Sequence, residues 1–202
     1  MRVFVGLDLP TPLTTRLGLL KGGLPGARWV KPENMHVTLH FLGEVDGARL
    51  DDVDLALSGV MAEPFTLQLA GAGEFGGAKG PRVVWAGLAP SPALEQLHGR
   101  VAGALARFGV ETEARRFVPH VTLAWLRDTP YERVAEFVTH HALLASDPWP
   151  VASLHLYSSH AGREGYDYRI EASYPFAANL MEAAWDEDDE DGKEETGTED
   201  WA

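Results

Sequence analysis

Several short stretches of the chain alternate between hydrophobic and polar residues, a period of two that is typical of β-strands with one buried face. This pattern predicts strands over 35–42 and 117–126, both rich in β-branched and aromatic residues. Each stretch contains the same four residues, His-Val-Thr-Leu, at 36–39 and at 120–123. The chain therefore carries one strand motif twice, and the elements around the two copies can be compared.

Each predicted motif strand has an apolar face and a polar face. Successive side chains of a strand point to opposite faces, so His36 and Thr38 share a face, about 7 Å apart along the strand. His120 and Thr122 do the same in the second copy. The valine and leucine of each copy point the other way and can pack on a core. The polar face of each strand presents an imidazole beside a hydroxyl.

Apolar residues spaced three and four apart predict helices between the strands. Their apolar stripes fall within 13–20, 50–61, 94–108 and 134–144. The predicted N-caps are Thr11, Asp46, Ser91 and Thr129. Further strands are predicted over 2–9, 65–69, 82–88, 151–157 and 166–174, with a glycine-rich loop between the second and third of these. After the first strand, each half runs helix, motif strand, helix, strand, strand. This order predicts two similar lobes related by a pseudo-twofold axis, with the motif faces meeting at a central cleft.

Length and composition are typical of a globular enzyme-sized chain. The 202 residues can form one core, or two small lobes that share an interface. The absence of cysteine excludes disulfides and thiolate metal sites. No run approaches the roughly 20 apolar residues of a membrane span, and the N-terminus does not resemble a signal peptide. We therefore expect a monomeric cytoplasmic protein that does not act at a membrane.

The net charge of −13 is concentrated near the C-terminus, where 186–200 holds ten acidic residues and one lysine. Like charges with few aromatic residues predict a disordered acidic tail over 177–202, which leaves 1–176 as a single folded domain. Outside the 186–200 run the chain carries a net charge of only −4. It therefore offers no broad basic surface of the kind that binds duplex nucleic acid, and any nucleic-acid contact is expected to be local.

The two motif faces suit displacement at phosphorus. A single His-x-Thr triplet is weak evidence of function, but packing alone would not select the same polar pair twice at matching positions. Histidine can take or give a proton near neutral pH, so one imidazole can serve as base and the other as acid. The threonine hydroxyls can donate to the non-bridging phosphate oxygens. Such a mechanism needs no metal and no cofactor.

A zinc site is the main alternative, because His36 and His40 have the spacing that gives two ligands on one helix. On a strand this spacing is about 13 Å, too far for one ion, so the predicted strand disfavours zinc. The other histidines have no repeated partner or lie near a helix end, and we interpret them as structural: His98, His140, His141, His155 and His160.

The run Gly71–Gly76 matches the Gly-x-Gly-x-x-Gly dinucleotide fingerprint by its letters alone. The following residues, 77–81, contain two glycines and a proline where the phosphate-binding helix would have to begin. We interpret the run as a long hairpin loop. Lys79 and Arg82 could contact a phosphate from that loop.

Three segments resemble the two-histidine (2H) phosphoesterases, and among them the RNA 2′,3′-cyclic phosphodiesterases also described as 2′-5′ RNA ligases. Residues 29–45 resemble the family's first motif with its leader, 83–88 the following strand, and 119–124 the second motif. The resemblance covers about residues 1–176. It implies an α/β (α+β) fold with two antiparallel sheets lining a central cleft and helices outside. It also implies metal-independent opening of a 2′,3′-cyclic phosphate to a 2′-phosphomonoester.

One departure from the family pattern concerns the residue after the second motif, where the family often has arginine and this chain has Trp125. Arg127 would share the strand face of Trp125 if the strand continued. Trp125 could instead stack on an RNA base. Phe41 is a second candidate for stacking by resemblance, although on a regular strand it would lie on the face opposite His36, which leaves core packing as an equal alternative.

We therefore expect His36 and His120 to be catalytic, with Thr38 and Thr122 binding the substrate phosphate. Symmetry leaves the roles open, and we favour His36 as the acid on the leaving 3′ oxygen and His120 as the base on water. The expected partners are RNA ends or nucleotides with a 2′,3′-cyclic phosphate, and reversal would give 2′-5′ ligation. Two alternatives remain: a non-catalytic RNA-end-binding protein, and a 2H enzyme acting on another cyclic phosphate or a 2′-5′ linkage.

Overall fold

The fold combines β-strands with α-helices that connect them. The structure is a computed structural model that describes residues 1–77, 80–112, 116–162 and 165–177; Lys79 and the acidic run at 186–200 lie outside these ranges. In chain order the elements are β1 Arg2–Leu7, α1 Thr11–Gly18, β2 Arg28–Trp29, a 3-10 turn Pro32–Asn34, β3 Val37–Glu44, α2 Gly47–Ser58, β4 Phe65–Leu67, β5 Leu69–Gly77, β6 Gly80–Leu88, α3 Pro92–Arg107, β7 His120–Trp125, α4 Tyr131–His140, β8 Trp149–Val151, β9 Ser153–Gly162 and β10 Gly165–Pro175.

The strands form one large antiparallel sheet and one small one. The large sheet has the order β10-β9-β1-β3-β7-β6-β5, with β2 beside β7, and the small sheet pairs β4 with β8. The α+β class and the antiparallel pairing are confirmed. The division of the strands between the two sheets differs from the expected one, because the strands of the two motif regions are hydrogen-bonded into one sheet. They are joined at a single residue pair, Val37 and Val121.

The predicted elements occur in the predicted order, with β2, β5 and β8 as additional strands, but the two halves of the chain exchange their hairpins. The hairpin β5–β6 follows the first motif in sequence, yet it pairs with β7, the second motif strand. The hairpin β9–β10 follows the second motif and pairs through β1 with the region of β3. Each motif strand is therefore supported by a hairpin from the other half of the chain.

The apolar faces of the motif strands are part of the core, as predicted. Val37, Leu39, Val121 and Leu123 are all buried, and burial of each such side chain stabilises the fold by roughly 1.5–3 kcal/mol. Helices α2 and α3 pack against each other and against β10 and β3, whereas α4 covers β5 and β6. None of the helices within the described ranges combines the length and the apolar character needed to cross a bilayer.

Two of the four predicted N-caps are confirmed. The prediction for Thr11 is wrong, because Thr11 is already the first residue of α1 and Pro10 occupies the cap position. Asp46 and Ser91 each accept a hydrogen bond from the backbone NH three residues later. The prediction for Thr129 is wrong, because α4 begins after Pro130 and the Thr129 hydroxyl donates instead to the Pro25 carbonyl at 2.6 Å. A tertiary hydrogen bond replaces the local cap at this position.

The prediction of a glycine-rich hairpin loop is wrong, because Gly71–Gly76 lies within strand β5 and pairs with β6. The glycines provide space for a large ring on the neighbouring strand. A Cβ atom on Gly73 would lie 2.3 Å from the Trp85 ring, which packs across the strand at that point. Glycine here permits close packing of Trp85.

Candidate active site

The two motifs meet where β3 and β7 pair. The pair Val37–Val121 is antiparallel, so the residues flanking it run in opposite directions on the two strands. His36 therefore lies on the side of Thr122, and His120 on the side of Thr38. The valines point into the core, and the polar side chains of both motifs share the opposite face. The exchange of hairpins thus brings two imidazoles and two hydroxyls together.

The two histidines are held by equivalent hydrogen bonds. His36 Nδ1 lies 2.8 Å from the Asn34 carbonyl oxygen, and His120 Nδ1 lies 2.7 Å from the Val118 carbonyl oxygen. Since a carbonyl oxygen only accepts, each Nδ1 carries a proton and donates it. Each neutral ring then has its lone pair on Nε2. Neither Nε2 has a hydrogen-bond partner among the described residues, so each is free to exchange a proton with a substrate.

Aromatic side chains surround His36. Its ring centroid lies 4.6 Å from that of Phe4, 5.7 Å from Tyr157 and 5.1 Å from Tyr168, which meets it edge-on. Burial among these rings penalises the charged form and lowers the pKa of His36 to about 4, with a smaller contribution from repulsion by His120. His36 is therefore neutral at pH 7 in the free protein.

His120 has a similar but less enclosed environment. The Phe75 ring meets it edge-on at 4.8 Å, and the Trp85 centroid lies 6.0 Å away. Burial lowers the pKa of His120 below its usual value of 6.5, and the hydrogen bond to Val118 partly opposes this. Both histidines are thus poised as neutral bases, and an anion bound between them would favour the protonated form of either.

Both motifs line one cavity of about 490 Å³, within the range of small-molecule sites. Four of its lining residues are His36, Thr38, His120 and Thr122. The threonine hydroxyls make no hydrogen bond to another described residue, so both can donate to a ligand. The other lining residues are mainly apolar or aromatic, with one cation: Val30, Asn34, Phe41, Phe75, Gly76, Arg82, Val83, Trp125 and Tyr168.

Phe41 lies on the cavity side of β3, and the expectation that a regular strand would direct it to the core is wrong. In the pairing with β1, Gly6 is opposite Thr38 and Phe4 is opposite Phe41. One residue lies between Phe4 and Gly6 on β1, whereas two residues lie between Thr38 and Phe41 on β3. A bulge at Leu39 supplies the extra residue and reverses the faces of the later residues in the strand. Phe41 is consequently 43% exposed and available to a base.

Trp125 and Arg127 occupy different places. Trp125 ends β7, is 43% exposed and lines the cavity. The strand stops there, so the condition under which Arg127 would share its face is not met. The Arg127 side chain is almost fully exposed, lies 3.8 Å from Asp128, and is absent from the described cavity lining. Arg82, on β6, is the cation that the structure places at the cavity.

The zinc alternative required His36 and His40 to lie on one helix, but this segment leads into and forms strand β3. His40 is buried and its Nε2 lies 2.9 Å from the His98 carbonyl oxygen. Within the described ranges, no group of three or more histidine, aspartate or glutamate side chains is arranged to hold a metal ion.

The remaining histidines take part in structural hydrogen bonds or lie at a helix end. His155 bonds Ser153 and Ser173, and His160 bonds Ser158. α4 ends at His140, and the next residue, His141, donates through Nδ1 to the Phe137 carbonyl at 2.8 Å.

Asn34 is a site residue that pattern analysis did not identify. Its carbonyl orients His36, its Nδ2 donates to the Tyr166 carbonyl at 2.8 Å, and its Oδ1 accepts from the Tyr168 backbone NH. The side chain thereby fixes β10 against the segment that carries His36. The only signal in the sequence was its position in the leader of the first motif, because its partners lie more than 130 residues away.

The chain is similar to a family of known proteins. The family model described as the 2′-5′ RNA ligase superfamily matches residues 24–163. A Thermotoga maritima protein named RNA 2′,3′-cyclic phosphodiesterase is 30% identical over 193 residues, covering 91% of this chain and 100% of that protein. Another of that name, from Archaeoglobus fulgidus, is 35% identical over 126 residues, covering 61% and 71%. A third, from Geobacillus stearothermophilus, is 36% identical over 119 residues, and the matched part is only 38% of its length.

Solved structures show the same fold. TT0787 of Thermus thermophilus superposes with a TM-score of 0.73 at 22% identity, covering 89% of this chain and all of that one. E. coli LigT in complex with 3′-AMP gives a TM-score of 0.68 at 29% identity, covering 87% and 97% of the two chains. The fold and the family are thus found by independent comparisons.

Proposed function

The chain belongs to the 2′-5′ RNA ligase superfamily of 2H phosphoesterases, and from this membership we propose that it hydrolyses RNA 2′,3′-cyclic phosphate ends by histidine acid–base catalysis. Relatives that are 30–36% identical and named RNA 2′,3′-cyclic phosphodiesterase support the cyclic phosphodiesterase activity. One structural observation carries the mechanism: two imidazoles, each donating through Nδ1 to the carbonyl two residues earlier, line one cavity together with two threonine hydroxyls that have no hydrogen-bond partner among the described residues.

In the proposed complex the cyclic phosphate lies between His36 and His120. Its charge favours protonation of one imidazole, which offsets the burial that lowers the pKa of both in the free protein. Thr38 and Thr122 donate to the non-bridging oxygens, where negative charge increases in the transition state.

The reaction is an in-line displacement. Neutral His120 takes a proton from water through Nε2, the water oxygen bonds to phosphorus, and the bond from phosphorus to O3′ breaks. Protonated His36 gives its Nε2 proton to the leaving O3′, so the products are a 3′-hydroxyl and a 2′-phosphomonoester. A 5′-hydroxyl in place of water would form a 2′-5′ linkage by the same steps. The equivalent hydrogen bonds of the two histidines are compatible with either assignment, and we keep His36 as the acid in our hypothesis.

The cavity walls suit a ribonucleotide. Phe41 and Trp125 present exposed rings on which a base can stack, and Arg82 offers a positive charge for a phosphate. The site is local and aromatic, in keeping with a chain that has little net charge outside its acidic run. The substrate is therefore proposed to be the end of a single strand, whose unpaired base is accessible.

Incubation with adenosine 2′,3′-cyclic phosphate in excess EDTA, with 2′-AMP and 3′-AMP resolved, tests the proposal. We expect turnover to 2′-AMP alone, because O3′ is the oxygen that receives the proton. Turnover that appears only after a divalent ion is restored would contradict metal independence. Tight binding without turnover would identify a non-catalytic RNA-end-binding protein, and hydrolysis confined to 2′-5′ dinucleotides would identify the other 2H activity.

A further inference from the structure

The catalytic cavity continues beyond His120 into a second hollow of about 450 Å³. The two share Thr38, Phe41, Phe75, Gly76 and His120, so they are parts of one continuous cleft. The walls that belong to the second hollow alone are Leu39, His40, His98, Arg116, Phe117 and Val118. We call this second hollow the annex.

The annex contains a stack of three aromatic rings. His40 and His98 stack with centroids 4.1 Å apart and an interplanar angle of 23°, and His98 and Phe117 stack at 4.0 Å and 14°. The stack begins at His40, which is only 5% exposed, and ends at Phe117, which is half-buried. Such rings offer a flat apolar surface to a further planar group.

The two imidazoles of this stack are uncharged at neutral pH. Desolvation lowers the pKa of His98 to about 4, with a smaller effect from His40, and it also lowers the pKa of His40. His40 donates through Nε2 to the His98 carbonyl, which fixes its ring. Among the described residues that line the annex, the positive charge is supplied by Arg116, whose side chain is exposed.

An aromatic platform beside an exposed guanidinium is the combination that binds single-stranded nucleic acid: the rings stack on a base and the cation meets the backbone. A 2′,3′-cyclic phosphate occupies the 3′ end of a strand, so any adjoining nucleotide lies on its 5′ side. We propose that the annex binds this penultimate nucleotide, with its base against the Phe117–His98 stack and the connecting phosphate at Arg116. The proposal rests on the proposed cyclic phosphodiesterase function, and it makes oligonucleotide ends the preferred substrates.

The test compares kcat/KM for two substrates, adenosine 2′,3′-cyclic phosphate and the dinucleotide ApA ending in a 2′,3′-cyclic phosphate. The wild type should prefer the dinucleotide by at least about tenfold, because stacking and one ion pair contribute to its binding. Arg116→Gln and Phe117→Leu should each reduce this preference about three- to tenfold. Arg133→Gln, which alters an exposed arginine on α4 paired with Glu136, is the matched control and should keep the wild-type preference.

The outcomes separate the two proposals. If the wild type hydrolyses both substrates with equal kcat/KM, or if both annex variants keep the full preference, the annex proposal is wrong while the catalytic function stands. If the wild type hydrolyses neither substrate, the proposed function fails and the annex proposal fails with it. Melting temperatures of the variants show whether Phe117→Leu has altered the fold, and Arg116→Gln tests the same surface through an exposed side chain.

Discussion

Replacing His36 or His120 with alanine is expected to lower kcat on adenosine 2′,3′-cyclic phosphate by about 10²- to 10⁴-fold, the usual contribution of one general acid or base. Each substitution removes the Nε2 atom that the replaced histidine would present to the substrate. The histidine that remains belongs to the other motif and cannot take over this role. Because both groups act in one displacement step, the double variant should be little slower than the slower single variant. Steady-state kinetics with protein of verified melting temperature measure this effect.

His140→Ala is the matched control, since His140 is an exposed histidine at the end of α4 and should keep the wild-type rate. A single His36 or His120 variant that retained half the wild-type activity would end the two-histidine mechanism. The roles are separated by a substrate in which sulfur replaces O3′. A thiolate leaves without a donated proton, so this substrate should restore much of the rate to the variant that lacks the acid, expected to be His36→Ala.

Removing one threonine hydroxyl should have the second largest effect. Thr38→Val and Thr122→Val keep the β-branched shape that suits the strand but cannot donate to a phosphate oxygen. Loss of one preorganised donor to a developing charge costs about 10²-fold in kcat, or roughly 3 kcal/mol. Thr38→Ser and Thr122→Ser retain the hydroxyl and should recover most of the rate.

Thr66→Val supplies the control for these variants, because Thr66 is an exposed strand threonine on β4, outside the described cavity lining. The valine variants should melt at or above the wild-type temperature, since no described hydrogen bond is lost. If either valine variant remained within twofold of the wild-type kcat, its hydroxyl could not be a donor in the transition state.

The local pattern of the sequence was sufficient to predict most of the strands, most of the helix positions and the polarity of the motif faces, but not β5, whose glycines it assigned to a loop. Val37 and Val121 are buried and His36 and His120 line the cavity because alternation assigns them to opposite faces. Asp46 caps α2 because its side chain reaches only three residues along the chain. These features depend on neighbours in sequence, and so the sequence alone indicates them.

The features that could not be predicted depend on contacts between distant segments. The side of β3 on which Phe41 lies is set by a bulge in the pairing with β1, and alternation read along one strand cannot reveal a bulge. The role of Asn34 depends on β10, and the role of the glycines in β5 on the ring of Trp85. The exchange of hairpins between the halves is likewise a property of the assembled sheet.

The dependence of kcat/KM on pH tests the central claim, catalysis by a histidine pair that shares one proton. The reactive form of the free protein needs one imidazole protonated and the other neutral. The concentration of this form falls when the pH exceeds the higher pKa of the pair, which burial holds below 6.5. It also falls when the pH drops below the lower pKa, and the pKa of His36 is about 4. We therefore expect a bell-shaped profile with its maximum between pH 4 and 6.5.

The profile of kcat should be displaced to higher pH, because the bound anion raises both pKa values. Since these histidines are neutral in the fold and more basic in the unfolded chain, folding stability falls as pH decreases through this window. Tryptophan fluorescence must therefore show native protein at each pH. A bell-shaped kcat/KM profile in the wild type that loses one limb in each of His36→Ala and His120→Ala is the predicted result. A profile that is flat from pH 4 to 8, or unchanged in both variants, would contradict the account.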